Sequence, residues 1–177
     1  ATGLGEVTVI GHGGISDNGN NVGVGVRSDF GVGGITSSGG NVIVDGTGGN
    51  GRGVEVYLGG KIDAKGNGTV SVSGTGGNYS GTRFDGVYIW GVSNSGQSSI
   101  ITSEGGLITV NGVGGGNASP ESGIHKGVFL DGGGQIVGPG DVVVNGTGGL
   151  GEKASNHGVF VNNESAGGVA SALVSTG

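Results

Sequence analysis

Residues 40–49 read GNVIVDGTGG, and a phrase of this form, Gly-x-(Val/Ile)-x-Val-x-Gly-x-Gly-Gly, recurs along the chain. It occurs five times, and the other copies are GEVTVIGHGG at Gly5, GTVSVSGTGG at Gly68, GLITVNGVGG at Gly106 and GDVVVNGTGG at Gly140. The starts lie 28 to 38 residues apart, which is the spacing of a stacked-repeat architecture. The chain is therefore predicted to be a solenoid of about five coils, each of about 34 residues.

A second phrase, Gly-Val-x-(Val/Ile/Leu), follows each copy of the first. Its copies are GVGV at Gly23, GVEV at Gly53, GVYI at Gly86, GVFL at Gly127 and GVFV at Gly158. A weaker third element is centred on Ile35, Ile62, Ile101, Ile136 and Leu173. Alternating β-branched residues predict a short strand at each element, and no stretch has the apolar spacing and caps of a helix. The sequence thus predicts an all-β fold, a parallel β-helix with three strands per coil, as a single domain over residues 1–177.

The repeats also predict which side chains stack from coil to coil. The first phrase gives two inward columns, Val7, Val42, Val70, Ile108 and Val142, and Val9, Val44, Val72, Val110 and Val144. The second phrase gives Val24, Val54, Val87, Val128 and Val159, and Val26, Val56, Ile89, Leu130 and Val161. Glycines at the fifth strand position are expected to open corners with positive φ, which glycine adopts at little cost. These are Gly11, Gly46, Gly74, Gly112 and Gly146.

Composition narrows the classes of function. The chain has 50 glycines in 177 residues, and only 32% of its residues are hydrophobic, which suits a thin stack better than a thick globular core. A net charge of −6 with seven basic residues argues against nucleic acid as a partner. Cysteine is absent, so no disulfide or Cys-ligated metal is expected, and no apolar run is long enough to span a bilayer.

Charged residues and histidines give no constellation for catalysis, a metal or a cofactor. Among the outward positions of the second phrase, Glu55 and Asp131 lie two coils apart with no second acid expected beside either. The segment SDNGNN at Ser16 lacks the closing Glu of a calcium loop. The histidines His12, His125 and His157 are expected at solvent-facing positions. Solvated loop positions are expected for Arg52, Arg83, Lys126 and Lys153. The sequence therefore predicts a protein that is not an enzyme.

Five aromatic residues occupy outward positions of the second phrase or follow it directly, and they are candidate surface-contact residues. They are Tyr57, Tyr88, Trp90, Phe129 and Phe160. Tyr88, Phe129 and Phe160 form one column, which stabilises adjacent parallel strands if it is structural. If it is functional, it is a stacking platform for a sugar or a neighbouring filament.

The ends of the chain predict a second kind of contact. Its repeat phase closes when Ala1 of one copy is placed after Gly177 of another, although the spacing from Leu173 to Gly5 is then nine positions against four to six elsewhere. Neither end carries a polar, helical or Pro-rich cap. Uncapped coils are templates for pairing with another chain. Head-to-tail stacking, or continuation into a longer chain, would involve five apolar residues. They are Val7, Val9, Val159, Val161 and Leu173.

The GTGG-punctuated valine strands and the GVYI and GVFL phrases resemble repeats of large secreted bacterial β-helix proteins, the filamentous-haemagglutinin-like and autotransporter adhesins. The N-terminal secretion domain of those proteins is not recognisable here. The resemblance implies a right-handed parallel β-helix, an extracellular or cell-surface location, and a structural or adhesive role with glycans as possible partners. The expected function is thus a structural subunit or segment of an extracellular fibre or giant adhesin. The alternative is a monomeric carbohydrate-binding or polysaccharide-degrading β-helix, whose activity would depend on Tyr88 or Trp90.

Overall fold

The computed structural model of the chain describes residues 5–16, 21–28, 33–81, 83–91, 98–117, 123–152, 155–163 and 169–177. In these residues it contains fifteen β-strands and no helix. The strands form three parallel sheets of five strands, and every third strand along the chain joins the same sheet. This is a parallel β-helix of five coils, as the sequence predicts.

Sheet A is built by the first phrase of each repeat. Its strands are β1 (Val7–His12), β4 (Val42–Thr47), β7 (Val70–Thr75), β10 (Ile108–Val113) and β13 (Val142–Thr147). The register sets Val7 against Val42, Val42 against Val70, Val70 against Ile108 and Ile108 against Val142. Both inward columns predicted for this phrase are confirmed.

Sheet B is built by the second phrase. Its strands are β2 (Val24–Arg27), β5 (Val54–Tyr57), β8 (Val87–Trp90), β11 (Val128–Asp131) and β14 (Val159–Val161). The predicted columns are again confirmed, since Val54 pairs with Val87 and Ile89 pairs with Leu130. Val54, Val56, Val87, Ile89, Val128 and Leu130 are fully buried.

Sheet C is built by the weak third element. Its strands are β3 (Gly34–Ser37), β6 (Lys61–Ala64), β9 (Ile100–Ser103), β12 (Gln135–Gly138) and β15 (Ala172–Ser175). Ile62, Ile101 and Ile136 form one register column and are fully buried. At the end of β9, the Ser103 hydroxyl donates to the Gly68 carbonyl at 2.8 Å and accepts from the Gly106 N–H at 2.8 Å. A buried serine therefore fixes the corner that leads back to sheet A.

The glycines of the first phrase serve a purpose other than the one the sequence suggests. The expected positive φ at Gly46 and its repeat equivalents is wrong, because none of them has a left-handed backbone, and sheet A strands run on through this position. A Cβ on Gly46 would lie 2.2 Å from the Gly53 carbonyl oxygen. Glycine is required here because sheets A and B approach too closely to admit a side chain.

The connections from sheet A to sheet B are the variable loops. They end directly before each Gly-Val pair, so their last residues lie beside the outer face of sheet B. The backbone continues the ladder there, since the Gly53 N–H donates to the Asp85 carbonyl and the Gly86 N–H donates to the Lys126 carbonyl. Those loop ends therefore stack in register, and they contribute side chains to the face described next.

Candidate functional site

The outer face of sheet B carries two side-chain columns. The first column contains Gly25, Glu55, Tyr88, Phe129 and Phe160, which are paired in register. The second contains Arg27, Tyr57, Trp90 and Asp131. Five of the eight Trp, Tyr and Phe residues of the chain thus lie in two adjacent columns, which we call the aromatic face. The predicted aromatic positions are confirmed as neighbours on one surface, and their role in contact stays a prediction.

Three rings of the first column stack along the solenoid axis. The Tyr88 and Phe129 centroids are 5.1 Å apart, and those of Phe129 and Phe160 are 5.4 Å apart. These separations are typical of favourable aromatic pairs. Such contacts between adjacent coils stabilise the parallel strands that carry them.

This stack is not an open platform. Tyr88 and Phe129 are only 4% and 3% exposed, because cationic side chains from the loops lie over their rings. The Arg52 guanidinium carbon is 4.2 Å from the Tyr88 centroid, and Lys126 Nζ is 4.1 Å from the Phe129 centroid. Both rings are therefore covered, which favours the structural interpretation of this column over an open stacking platform.

The same contacts correct the expectation of solvated loop charges at Arg52 and Lys126. Both side chains are buried, and Arg52 forms ion pairs with Glu55 and Asp85. The other Asp85 oxygen accepts a hydrogen bond from the Lys126 backbone N–H at 2.9 Å. Glu55 therefore does have a second acid nearby, and Arg52 bridges the two. Lys153 lies outside the described residues.

Burial sets the protonation behaviour of this cluster. It raises the pKa of Glu55 above its ordinary value, although the Arg52 charge acts in the opposite direction. Burial also raises the pKa of the Tyr88 phenol to about 12 and lowers the pKa of Lys126. In each case the uncharged form is favoured because a charge loses hydration in the protein interior.

Two histidines extend the stacking, and one of them contradicts its prediction. His125 is fully buried, with its imidazole parallel to the Phe84 ring at a centroid distance of 5.2 Å. Its Nδ1 accepts a hydrogen bond from the Phe84 N–H at 3.0 Å, and burial lowers its pKa. His12 and His157 are exposed, as expected, and the His157 ring stacks on Phe160 at 4.7 Å.

The sequence analysis did not predict that Arg52 and Lys126 cover the aromatic rings, yet the repeats contain a signal for it. The residue before each Gly-Val pair is Arg52, Asp85, Lys126 or His157 in the last four coils. Arg52, Asp85 and Lys126 alternate in sign, and opposite charges on adjacent strands attract each other. Reading that position as variable loop hid the pattern.

A cleft of about 430 Å³ opens on the aromatic face beside this cover. Its lining consists of Arg52, Glu55, Tyr57, Arg83, Tyr88, Trp90 and Asp131. Tyr57, Trp90 and Asp131 are half-buried, and Arg83 is exposed. Arg27 lies against the Tyr57 ring, 5.2 Å from its centroid. The cleft thus combines aromatic surface with charged groups of both signs.

A second cleft, of about 470 Å³, lies on the outer face of sheet C and is lined in part by Lys61, Asp63 and Lys65. Asp63 is 1% exposed, and its carboxylate pairs with Lys61 Nζ at 2.9 Å and Lys65 Nζ at 2.7 Å. Burial raises the pKa of Asp63, but the two ammonium groups outweigh it and the pKa lies below its ordinary value. Lys65 also pairs with Glu104 on the next coil at 2.9 Å. This network ties coils together. Both ammonium groups pair with Asp63 Oδ2, whereas the buried Oδ1 has no hydrogen-bond partner among the described residues.

The end coils differ from the interior in their exposure. Val159, Val161 and Leu173 are 38%, 42% and 38% exposed, whereas Val128, Leu130 and Ile136, one coil further in, are fully buried. At the other end Val7 and Val9 are partly buried. The five residues predicted for end-to-end stacking therefore lie in the terminal coils, and their role in assembly stays a prediction.

No cluster of three or more metal-ligating side chains occurs within the described residues. Residues 17–20 of the segment considered for calcium lie outside them. In the same part of the chain no helix has the length and apolar character needed to cross a bilayer. Comparisons with protein-family models, curated proteins and solved structures return no significant match. The resemblance to adhesin-type repeats therefore stays a prediction.

Proposed function

We propose that the chain is a structural, non-enzymatic segment of an extracellular or cell-surface fibre or large adhesin, in which the β-ladder continues across the ends of the coils. The observation that carries the proposal is the state of the two end coils. In the described residues, β1, β2 and β3 at one end and β13, β14 and β15 at the other each pair on one side only. Unpaired strand edges are templates for a further strand.

The strand register allows a further coil to pair with each unpaired edge. A further β1 placed on β13 would set Val7 over Val142 and Val9 over Val144, which repeats the Val7–Val42 and Val9–Val44 pairing within the chain. Full burial of a Val or Leu side chain contributes about 1.5–3 kcal/mol. Covering the exposed parts of Val159, Val161 and Leu173 would therefore add to the gain from ladder hydrogen bonds. The further coils come from a second copy or from a continuation of the same chain.

A pair of matched variants tests assembly. Val161→Asp places a charge on the inward side of the last coil, whereas Val143→Asp places it on the outward side of β13, where Val143 is already 43% exposed. We expect filaments with a repeat of about 4.8 Å along the axis in electron cryo-microscopy of the unmodified chain. Filaments should persist in Val143→Asp and be lost in Val161→Asp and in Val9→Asp.

Circular dichroism and melting of each variant separate loss of assembly from loss of the fold. A chain that stays as discrete short rods at high concentration would contradict the assembly proposal. So would filaments of Val161→Asp that are as abundant as those of the unmodified chain. The proposed location is tested separately by antibody labelling of intact and permeabilised producing cells, with surface labelling expected before permeabilisation.

A second candidate function is a monomeric carbohydrate-binding or polysaccharide-degrading β-helix. The specific observation in its favour is the cleft on the aromatic face, where Tyr57 and Trp90 lie beside groups that donate and accept hydrogen bonds. Glycan-array binding or depolymerase activity that is lost in Trp90→Ala would support it. Tyr88 is nearly fully covered by Arg52. Substitution of Tyr88 would therefore act indirectly, by removing the ring against which the Arg52 side chain packs.

A further inference from the structure

We propose that the cleft on the aromatic face binds a neutral oligosaccharide, with Tyr57 and Trp90 as its stacking surface. The inference deepens the binding form of the second candidate function and is independent of end-to-end assembly. It starts from which aromatic rings remain accessible. Tyr88 and Phe129 are covered by Arg52 and Lys126, whereas Tyr57 and Trp90 are half-buried and line the open cleft. The Arg27 guanidinium lies 5.2 Å from the Tyr57 centroid and borders this surface on the side of the preceding coil.

Register fixes the relation between these two rings. Tyr57 and Trp90 are direct partners in the β5–β8 ladder, so their backbones are about 4.8 Å apart along the axis. Both occupy short strands of a rigid stack rather than a loop. Two neighbouring aromatic side chains along the axis suit an extended sugar chain, since aromatic rings offer large, rigid apolar surface with a polar tip.

The polar groups in the cleft suit hydroxyl groups. The Trp90 indole carries one hydrogen-bond donor, and no described residue accepts from it. The Arg83 guanidinium forms no ion pair with a described carboxylate, and it offers further donors at the lip. Among the described residues, the Asp131 carboxylate accepts a hydrogen bond from the Asn162 amide at 3.2 Å, and a carboxylate has capacity for more. A sugar hydroxyl donates to an acceptor and accepts from a donor, so it satisfies both kinds of group.

Charge balance favours a neutral ligand over an acidic one. Two guanidinium groups, Arg52 and Arg83, and two carboxylates, Glu55 and Asp131, line the cleft. Arg52 is already paired with Glu55 and Asp85. An anionic ligand could pair with Arg83, but it would also approach the Glu55 and Asp131 carboxylates, whose charges oppose it.

The cleft is also of suitable size and is already formed. Its 430 Å³ lies within the range of about 300–1,000 Å³ found for small-molecule sites. The Arg52 wall is fixed by Glu55, Asp85 and the Tyr88 ring, so little side-chain ordering remains to oppose binding. A ligand therefore meets a preorganised surface.

Calorimetric titration of the 177-residue chain with soluble hexasaccharides tests the inference. The neutral probes are cellohexaose, xylohexaose and mannohexaose, and the acidic probe is hexagalacturonate. We expect a neutral probe to bind and the acidic probe to bind at least tenfold more weakly. Trp90→Ala and Tyr57→Ala should each weaken the neutral binding at least tenfold. Tyr79→Ala removes a 40% exposed tyrosine outside the cleft lining and should leave it unchanged.

The possible outcomes distinguish failure of the proposed binding site from failure of the carbohydrate-binding function. Preferential binding of hexagalacturonate would overturn the neutral class. Glycan binding that survives both Trp90→Ala and Tyr57→Ala would place the site elsewhere, so the inference would fail while a carbohydrate-binding function stood. Absence of binding to every probe and to a glycan array would contradict both the proposed site and the carbohydrate-binding function. Unchanged melting temperatures of the two variants are the condition for attributing lost binding to the site.

Discussion

At the scale of single residues, His125 makes the folded chain sensitive to acid. The imidazole is fully buried against Phe84, its Nδ1 accepts the Phe84 N–H, and its pKa is lowered by burial. Asp85 raises this pKa and Lys126 lowers it, both by less than burial does. Below the ordinary value near 6.5, the unfolded chain therefore binds a proton that the folded chain resists, and stability falls as the pH decreases.

A variant isolates this contribution. In His125→Asn the amide oxygen replaces Nδ1 as an acceptor and no titrating group remains at the site. We expect a decrease from pH 7 to pH 5 to lower the free energy of unfolding more in the unmodified chain than in His125→Asn. Glu55, whose pKa is raised by burial, contributes with the opposite sign, but it does so in both chains. Urea unfolding at several pH values measures the two slopes. Equal slopes would show that His125 does not carry the acid sensitivity, whatever the absolute stability of the variant.

At the scale of the strand and its corner, the paired glycines determine how closely coils stack. A Cβ on Gly77 would lie 1.8 Å from the Gly49 carbonyl oxygen one coil away, whereas a Cβ on Gly14, at the same repeat position, meets no atom within 4 Å. Gly77→Ala is therefore expected to lower the free energy of unfolding by about 3 kcal/mol or to prevent folding, since the obstructing atom is backbone. Gly14→Ala should change it by less than about 0.5 kcal/mol.

Thermal and urea unfolding of the two variants compare these substitutions directly. A small effect at both positions would mean that the corner widens easily. Equal losses at both would point to an intrinsic cost of alanine at this repeat position instead of contact between coils.

The elements show which features were predictable from sequence. Val44, Val56 and Ile62 could be assigned to inward columns because strand alternation and repeat phase together fix the face of each residue. The burial of Arg52 and Lys126 could not be assigned the same way. Both residues occupy a fixed repeat position before a Gly-Val pair, but strand alternation does not fix where their side chains point, because the position lies before the strand begins. The glycine at Gly46 was located correctly but explained wrongly, because the distance between sheets is a property of the assembled coil.

At the scale of the whole molecule, each coil contacts only its neighbours, so stability is a sum along one dimension. The interior coils have two neighbouring coils and fully buried apolar columns, whereas Val159, Val161 and Leu173 in the last coil are more than a third exposed. The end coils are therefore expected to open first, without unfolding of the centre. Covering an end by another coil removes this difference.

Hydrogen exchange with mass spectrometry measures the difference in local stability between the central and end coils, and it shows whether assembly removes that difference. At low concentration, amides of β7 and β8 should exchange most slowly and those of β13, β14 and β15 at least tenfold faster. At concentrations where filaments form, the terminal strands should become protected to nearly the level of the centre, because each new ladder bond withdraws an amide from water. In Val161→Asp the terminal strands should stay fast at every concentration. Uniform protection that does not depend on concentration would mean that the coil ends are already stable when isolated, and the physical reason for stacking would be lost.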